Sequence, residues 1–110
     1  MSRDEIPPGT LHLLILKTLA RAEPGALHGF EIAEAILRLS EVLQVEEGSL
    51  YPALQRMLIK GWIQGQWGVT ADNRRARYYR LTAAGRKQLE TELARYARVQ
   101  TAIGKVIHAQ

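Results

Sequence analysis

Apolar residues recur at helical spacing through the first half of the chain and switch to alternation only once, in the second half. Leu11, Leu14, Ile15, Thr18 and Leu19 share one face of a helix that Thr10 can cap and that ends near Arg21. Leu13 and Leu16 make the other side apolar as well. A helix apolar nearly all round is covered on two sides, and the second cover is expected to come from another copy of the chain. Glu23-Pro24-Gly25 breaks this helix. Ile32, Ile36 and Leu37 mark a second one, from His28-Gly29 to about Leu39, with Glu31 and Glu34 suited to its positive N-terminal end. After a linker holding Val42, Val45 and Gly48, a third helix is predicted from an N-cap at Ser49. Pro52 sits in its first turn, Leu50, Leu54, Met57 and Leu58 form its core stripe, and Gly61 stops it.

From Trp62 the period becomes two. Residues 62–67 read as a strand, 68–74 as a polar loop and Arg75–Leu81 as a returning strand, with Arg75, Arg77, Tyr79 and Leu81 on one face. Tyr78 and Tyr79 are expected to pack or pair across strands, and Trp62 and Trp67 to pack the hairpin onto the helices. Thr82 caps a last helix running toward the C-terminus. The fold class predicted is mainly α with a small β-hairpin. Residues 1–9 would be a flexible N-terminal lead, 10–82 a winged helix-turn-helix and 83–110 a long C-terminal dimerisation helix.

Length and composition narrow the function. A chain of 110 residues forms one domain and can bury about two-thirds of its unfolded surface, enough to fold without staples. It has no Cys, so disulfides and thiolate metal sites are excluded and a reducing, cytoplasmic setting is expected. No apolar run approaches the ~18 residues of a membrane span, and Asp4 and Glu5 stand where a signal peptide would be basic. No membrane partner is expected.

The formal net charge of +4 is unevenly placed. Residues 1–48 hold 4 basic and 8 acidic side chains, whereas residues 49–110 hold 11 basic, mostly Arg, and 3 acidic. Arginine favours bidentate recognition of phosphates and base edges, so the second half is expected to meet a polyanion. On the third helix, the face opposite the core carries Ser49, Pro52, Gln55, Arg56, Ile59 and Lys60, bordered by Tyr51. Ser49 and the first-turn N–H groups suit a phosphate, Gln55 and Arg56 suit base edges, and Lys60 and the Tyr51 hydroxyl suit the backbone. The hairpin adds Asn73, Arg74, Arg75 and Arg77, with Arg80 beyond, as candidates for the minor groove and flanking phosphates. Double-stranded DNA is the partner these residues predict.

Catalysis finds no foothold. His12, His28 and His108 lie far apart without metal-ligand spacing, and no glycine loop is built to cradle a phosphate; no metal or cofactor is expected. The rival from another class is a winged-helix module that binds protein and leaves its third helix unused for DNA; the arginine-rich hairpin argues against it. In the last helix, Leu89, Leu93, Tyr96, Gln100, Ile103 and Ile107 alternate spacings of four and three, the seam of a coiled coil. Together with Leu11, Leu14 and Ile15 they are the candidate dimer interface, the alternative being that the seam packs on the chain's own first helix.

Several blocks resemble one family. Leu27-His28-Gly29-Phe30-Glu31-Ile32, Gly48-Ser49-Leu50-Tyr51-Pro52-Ala53-Leu54, Gly61-Trp62-Ile63, Arg75 with Tyr78-Tyr79, and Leu81-Thr82-Ala83-Ala84-Gly85-Arg86 are similar to the PadR transcriptional regulators over roughly residues 10–100. His28 and Phe30 stand where many relatives have tyrosines. The resemblance implies a dimeric winged-helix protein, usually a repressor acting on operator DNA, of the short subgroup with a single C-terminal helix. It also implies a small hydrophobic or aromatic effector bound between subunits, for which Tyr96 and Gln100 are the candidate lining residues.

Overall fold

Nine elements follow one another in a computed structural model that describes residues 4–7 and 9–110. They are β1 (Asp4–Glu5), α1 (Leu11–Ala22), β2 (Leu27–His28), α2 (Gly29–Ser40), β3 (Leu43–Gln44), α3 (Glu47–Ile59), β4 (Ile63–Val69), β5 (Arg75–Leu81) and α4 (Ala83–Ile107). Two small sheets accompany the helices. One is the parallel pair β1–β3, and the other is antiparallel with order β2-β5-β4. Within the lead expected to be flexible, Asp4 and Glu5 are thus paired with Leu43 and Gln44, and Ile6 packs against the core. Met1–Arg3 and Pro8 of that lead lie outside the described residues.

The apolar stripes meet around α1. Leu13, Ile15, Leu16 and Leu19 of α1 join Ile32 and Ile36 of α2, Leu50, Leu54 and Met57 of α3, Ile63, Tyr79 and Leu81 of the hairpin, and Leu89 of α4 in one buried cluster. Thr18, a buried polar residue of α1, donates its hydroxyl hydrogen to the Leu14 carbonyl at 2.7 Å, so its own hydroxyl is satisfied. Both sides of α1 are covered within one chain, the second by α4. For Ile15 this corrects the expectation that a second subunit covers the helix, whereas Leu11 and Leu14 stay half-buried. Ile15, with 0 % exposure, has no surface left for a partner, and Leu89 is likewise spent on the protomer's own core.

Local chemistry sets the helix ends. His28 caps α2: its Nδ1 accepts from the Glu31 N–H at 3.4 Å, while Glu31 Oε1 accepts from the His28 N–H at 3.0 Å. The third helix starts at Glu47, two residues before the predicted Ser49, and its N-cap Glu46 makes no side-chain cap bond. The acidic side chain of Glu47 suits the positive helix end, so the first turn forms without a Ser49 cap. Gly61 (φ +76°) closes α3: its N–H donates to Leu58 and that of Trp62 to Met57, the paired bonds of a glycine-terminated helix.

The hairpin is longer than predicted, because the register runs on through Gly68↔Ala76 and Val69↔Arg75. Its tip is a three-residue loop, Ala71-Asp72-Asn73, between Thr70 and Arg74. Asn73 takes the left-handed conformation (φ 65°) that such loops require, which accounts for an asparagine there. Thr82 then joins wing, α3 and α4. Its N–H donates to Trp62 O, its hydroxyl donates to Gly61 O at 2.6 Å, and the same oxygen accepts from the Gly85 N–H. Arg86 on α4 also pairs with Glu23 beyond the end of α1. From this anchored start α4 extends 25 residues, about 37 Å at 1.5 Å per residue.

Candidate nucleic-acid interface

The face of α3 turned away from the core follows from where its apolar residues lie. Leu50, Ala53, Leu54 and Met57 are buried, which leaves Ser49, Tyr51, Pro52, Gln55, Arg56, Ile59 and Lys60 exposed. Gly48 also lies on this outward side; a Cβ there would meet nothing within 4 Å, so the protomer itself does not require glycine at that point. Tyr51 is seated by Gly29 at the start of α2, where a Cβ would come within 2.9 Å of the Tyr51 ring and hydroxyl.

The wing stands beside this helix. Tyr51, Phe30 and His28 form one wall of an open cleft of about 730 Å³, and Trp67, Arg74, Arg75 and Arg77 form the other. Ser49, Pro52 and Arg56 border a second hollow, of about 480 Å³, on the opposite flank of α3. Of the residues predicted for DNA, the fold therefore gathers Tyr51 with three wing arginines, and Ser49 with Pro52 and Arg56. Lys60, at the far end of α3, has its ammonium 5.1 Å from the Trp62 ring centroid, and Asn73 stays at the loop tip. Arg74 pairs with Asp72 (3.4 Å), both well exposed.

Three residues near this surface carry roles that periodicity did not reveal. Trp62 packs against the core as expected, edge-on to His12 at 5.9 Å, but Trp67 does not: it is 59 % exposed, with the Arg75 guanidinium 4.7 Å from its ring centroid. Gly65 lets the Arg77 side chain lie across β4, since a Cβ there would fall 2.5 Å from Arg77 Nε. Phe30 is also exposed beside the cleft. Knowing the register would have placed Trp67 and Gly65 on the arginine face; alternation within each strand alone leaves the pairing open.

His12 marks the junction behind the interface. Its Nε2 is buried without a hydrogen-bond partner, and burial, followed by the positive charge of Arg56, lowers its pKa; Glu92 opposes this and Lys60 adds to it. The fold thus holds the imidazole neutral, while the unfolded chain takes up a proton near the ordinary value of about 6.5. Stability is expected to be full above that pH and to fall as pH drops below it. Urea unfolding at pH 7.5 and 5.5 checks this: His12→Gln should lose part of the wild-type difference, and an unchanged difference would refute the assignment.

Among the described residues, no helix is long and apolar enough to cross a membrane, and no group of three or more His, Cys, Asp or Glu side chains is placed to hold a metal ion. Three helices around a small sheet, a basic hairpin beside the third helix and a protruding fourth helix define a winged helix-turn-helix regulator. The Transcriptional regulator PadR-like family model matches residues 15–91, and the chain belongs to that family of DNA-binding transcriptional regulators. Solved structures agree. A transcriptional regulator from Clostridium thermocellum is 26% identical with a TM-score of 0.78, over 93% of this chain and 95% of that one. A PadR family regulator from Clostridium difficile is 27% identical with a TM-score of 0.73, over 90% of this chain and 99% of that one. Bacillus subtilis PadR in complex with operator DNA is 24% identical with a TM-score of 0.65, over 79% of this chain and 48% of that one.

Proposed function

We propose that the protein is a non-enzymatic, cytoplasmic repressor that binds a roughly palindromic operator as a homodimer. The observation that carries this reading is the side-by-side exposure of the α3 face and the arginine wing, with Tyr51, Arg74, Arg75 and Arg77 lining one cleft. The α3 face enters the major groove, which admits a helix, while the wing reaches the adjoining backbone and minor groove. Ser49, Pro52, Gln55, Arg56 and Lys60 meet DNA from α3, and Asn73 and the arginines meet it from the wing. Gly48 leaves the first turn bare, so a phosphate or base edge can approach the backbone closely. That Bacillus subtilis PadR, a protein of similar fold, was solved with operator DNA supports the same use of this surface.

Dimerisation rests on α4. Leu93, Tyr96, Val99, Ile103, Val106 and Ile107 are all at least 40 % exposed, and at about 100° per residue they fall on one side of the helix with Gln100. A second copy covers them, with half-buried Leu11 and Leu14 of α1 at the margin. Two α3 helices then face successive major grooves, with half-sites about 10 bp apart. A small hydrophobic or aromatic effector entering between the α4 helices at Tyr96 and Gln100 would change that spacing and release the operator.

Recovery of genomic fragments bound by the purified protein tests the reading. The expected result is a small set of fragments sharing a palindrome, bound by a particle of twice the 12.4 kDa chain mass in light scattering. Fragments bound no better than bulk genomic DNA, or a monomer at micromolar concentration, would overturn it. A reporter whose promoter carries the palindrome should be silenced by the protein.

A further inference from the structure

We propose that Trp67 and Gly65 are positioning residues for DNA binding, which hold Arg75 and Arg77 in place before DNA arrives. The proposal rests on the reading of the wing as a DNA contact. In the β4–β5 register Trp67 faces Arg77 and Val69 faces Arg75, so Arg75 is the diagonal neighbour of Trp67 on the same sheet face. Its guanidinium carbon lies 4.7 Å from the indole centroid, well inside the reach of a cation–π contact. The apolar end of that face, with Ile63, Tyr79 and Leu81, is buried, whereas the Trp67 end is open. A large exposed indole at the open end adds nothing to the core; what it touches is an arginine.

Arg77 is held differently. Its side chain runs over the place where Gly65 has no Cβ, with Nε 2.5 Å and Cγ and Cδ each 3.2 Å from that position. Any other residue at 65 would lift it away. Arg77 Nε is buried and has no hydrogen-bond partner, so the free protein holds this side chain in a pose that leaves a donor unused. Both arginines line the cleft opposite Tyr51. Arg74 provides the contrast: it leaves the loop tip and pairs with exposed Asp72, off the indole.

The physical consequence is a smaller entropy loss on binding. A free arginine surrenders its rotamers when it grips a phosphate, and one already stacked or laid flat surrenders fewer. Trp67→Ala should therefore weaken binding to a mixed-sequence DNA duplex at low salt by about 5- to 100-fold, the scale set by immobilising one long side chain on each protomer. Trp67→Phe keeps an aromatic face and should retain most of the affinity.

A double-mutant cycle separates positioning from general stability. With Arg75 already replaced by Ala, Trp67→Ala should cost nothing further. Gly65→Ala should likewise weaken binding in the wild type and not in an Arg77→Ala background. Losses of equal size in both backgrounds, or a Trp67→Ala protein that binds like wild type, would overturn the proposal while leaving DNA binding intact. A wild-type protein that binds no duplex at low salt would overturn the underlying reading and this proposal with it.

Discussion

Replacing Gly85 by alanine is expected to lower the melting temperature by about 12 °C or more, because the added Cβ would meet backbone more closely than at the other glycines. Gly85 is buried in the first turn of α4, where it donates its N–H to the Thr82 hydroxyl. A Cβ at this position would lie 1.9 Å from the Trp62 carbonyl oxygen and 2.9 Å from its carbon. Both obstacles are backbone, so no side chain can swing aside. The Trp62 carbonyl is fixed from the other direction too, because it accepts from the Thr82 N–H. Relief therefore requires moving the start of α4 off the end of α3. Overpacking costs about 1–3 kcal/mol where side chains adjust, and here the cost should reach about 3 kcal/mol or more. Gly104, near the other end of the same helix, is the control: a Cβ there would meet only His108, at 4.0 Å. Gly104→Ala should be neutral or stabilising by up to about 1 kcal/mol. Thermal unfolding of the two variants checks the pair. A Gly85→Ala protein melting within a couple of degrees of wild type would refute the account.

That junction was invisible in the residue pattern, and the reason is general to the fold. Periodicity reports what faces a core, so the four helices and the returning strand Arg75–Leu81 were legible from apolar spacing alone. It says nothing of two-residue strands such as β1, β2 and β3, whose pairing comes from chain segments brought together by tertiary packing. It also does not say which surface covers an apolar helix. Ile15 looked available to a second subunit because α1 is apolar on both sides; α4, folded back across it, uses that side first.

The interface was legible to the same depth. The outward face of α3 and the run of arginines follow from one-dimensional patterns, since a residue that does not face the core must face solvent or a partner. The state of each arginine does not follow. Arg74 opposite Asp72, Arg75 on Trp67 and Arg77 across Gly65 differ only through register, and the reading of Trp67 as a packing residue failed for that reason. The α3 boundary failed through chemistry: a serine is the better capping residue, but the acidic side chain of Glu47 stabilises an earlier start.

Affinity for DNA is expected to fall by about 10³–10⁵ between 50 and 200 mM salt, if six to ten phosphates are met per dimer. The basis is the concentration of charge: Arg56, Lys60, Arg74, Arg75 and Arg77 all lie on or beside the exposed face of α3 and the wing. Each phosphate contact releases condensed counterions, and in a dimer each residue acts twice. Lys60→Ala or Arg75→Ala should therefore reduce the slope of log K against log salt by about 2 if the side chain meets a phosphate in both half-sites. Gln55 is uncharged and sits at the centre of the outward face, so Gln55→Ala should leave the slope unchanged and relax the choice of base instead. Asp72→Asn should strengthen binding, because it frees Arg74 and removes a negative charge from the wing tip. Fluorescence anisotropy over a salt series, with the operator and a mixed-sequence duplex in parallel, distinguishes the two kinds of residue. Charge-reducing variants shift both duplexes together; a base-reading variant shifts only the operator. Tight operator binding that ignores salt and survives the loss of Arg74 and Arg75 would mean that this surface does not work by charge.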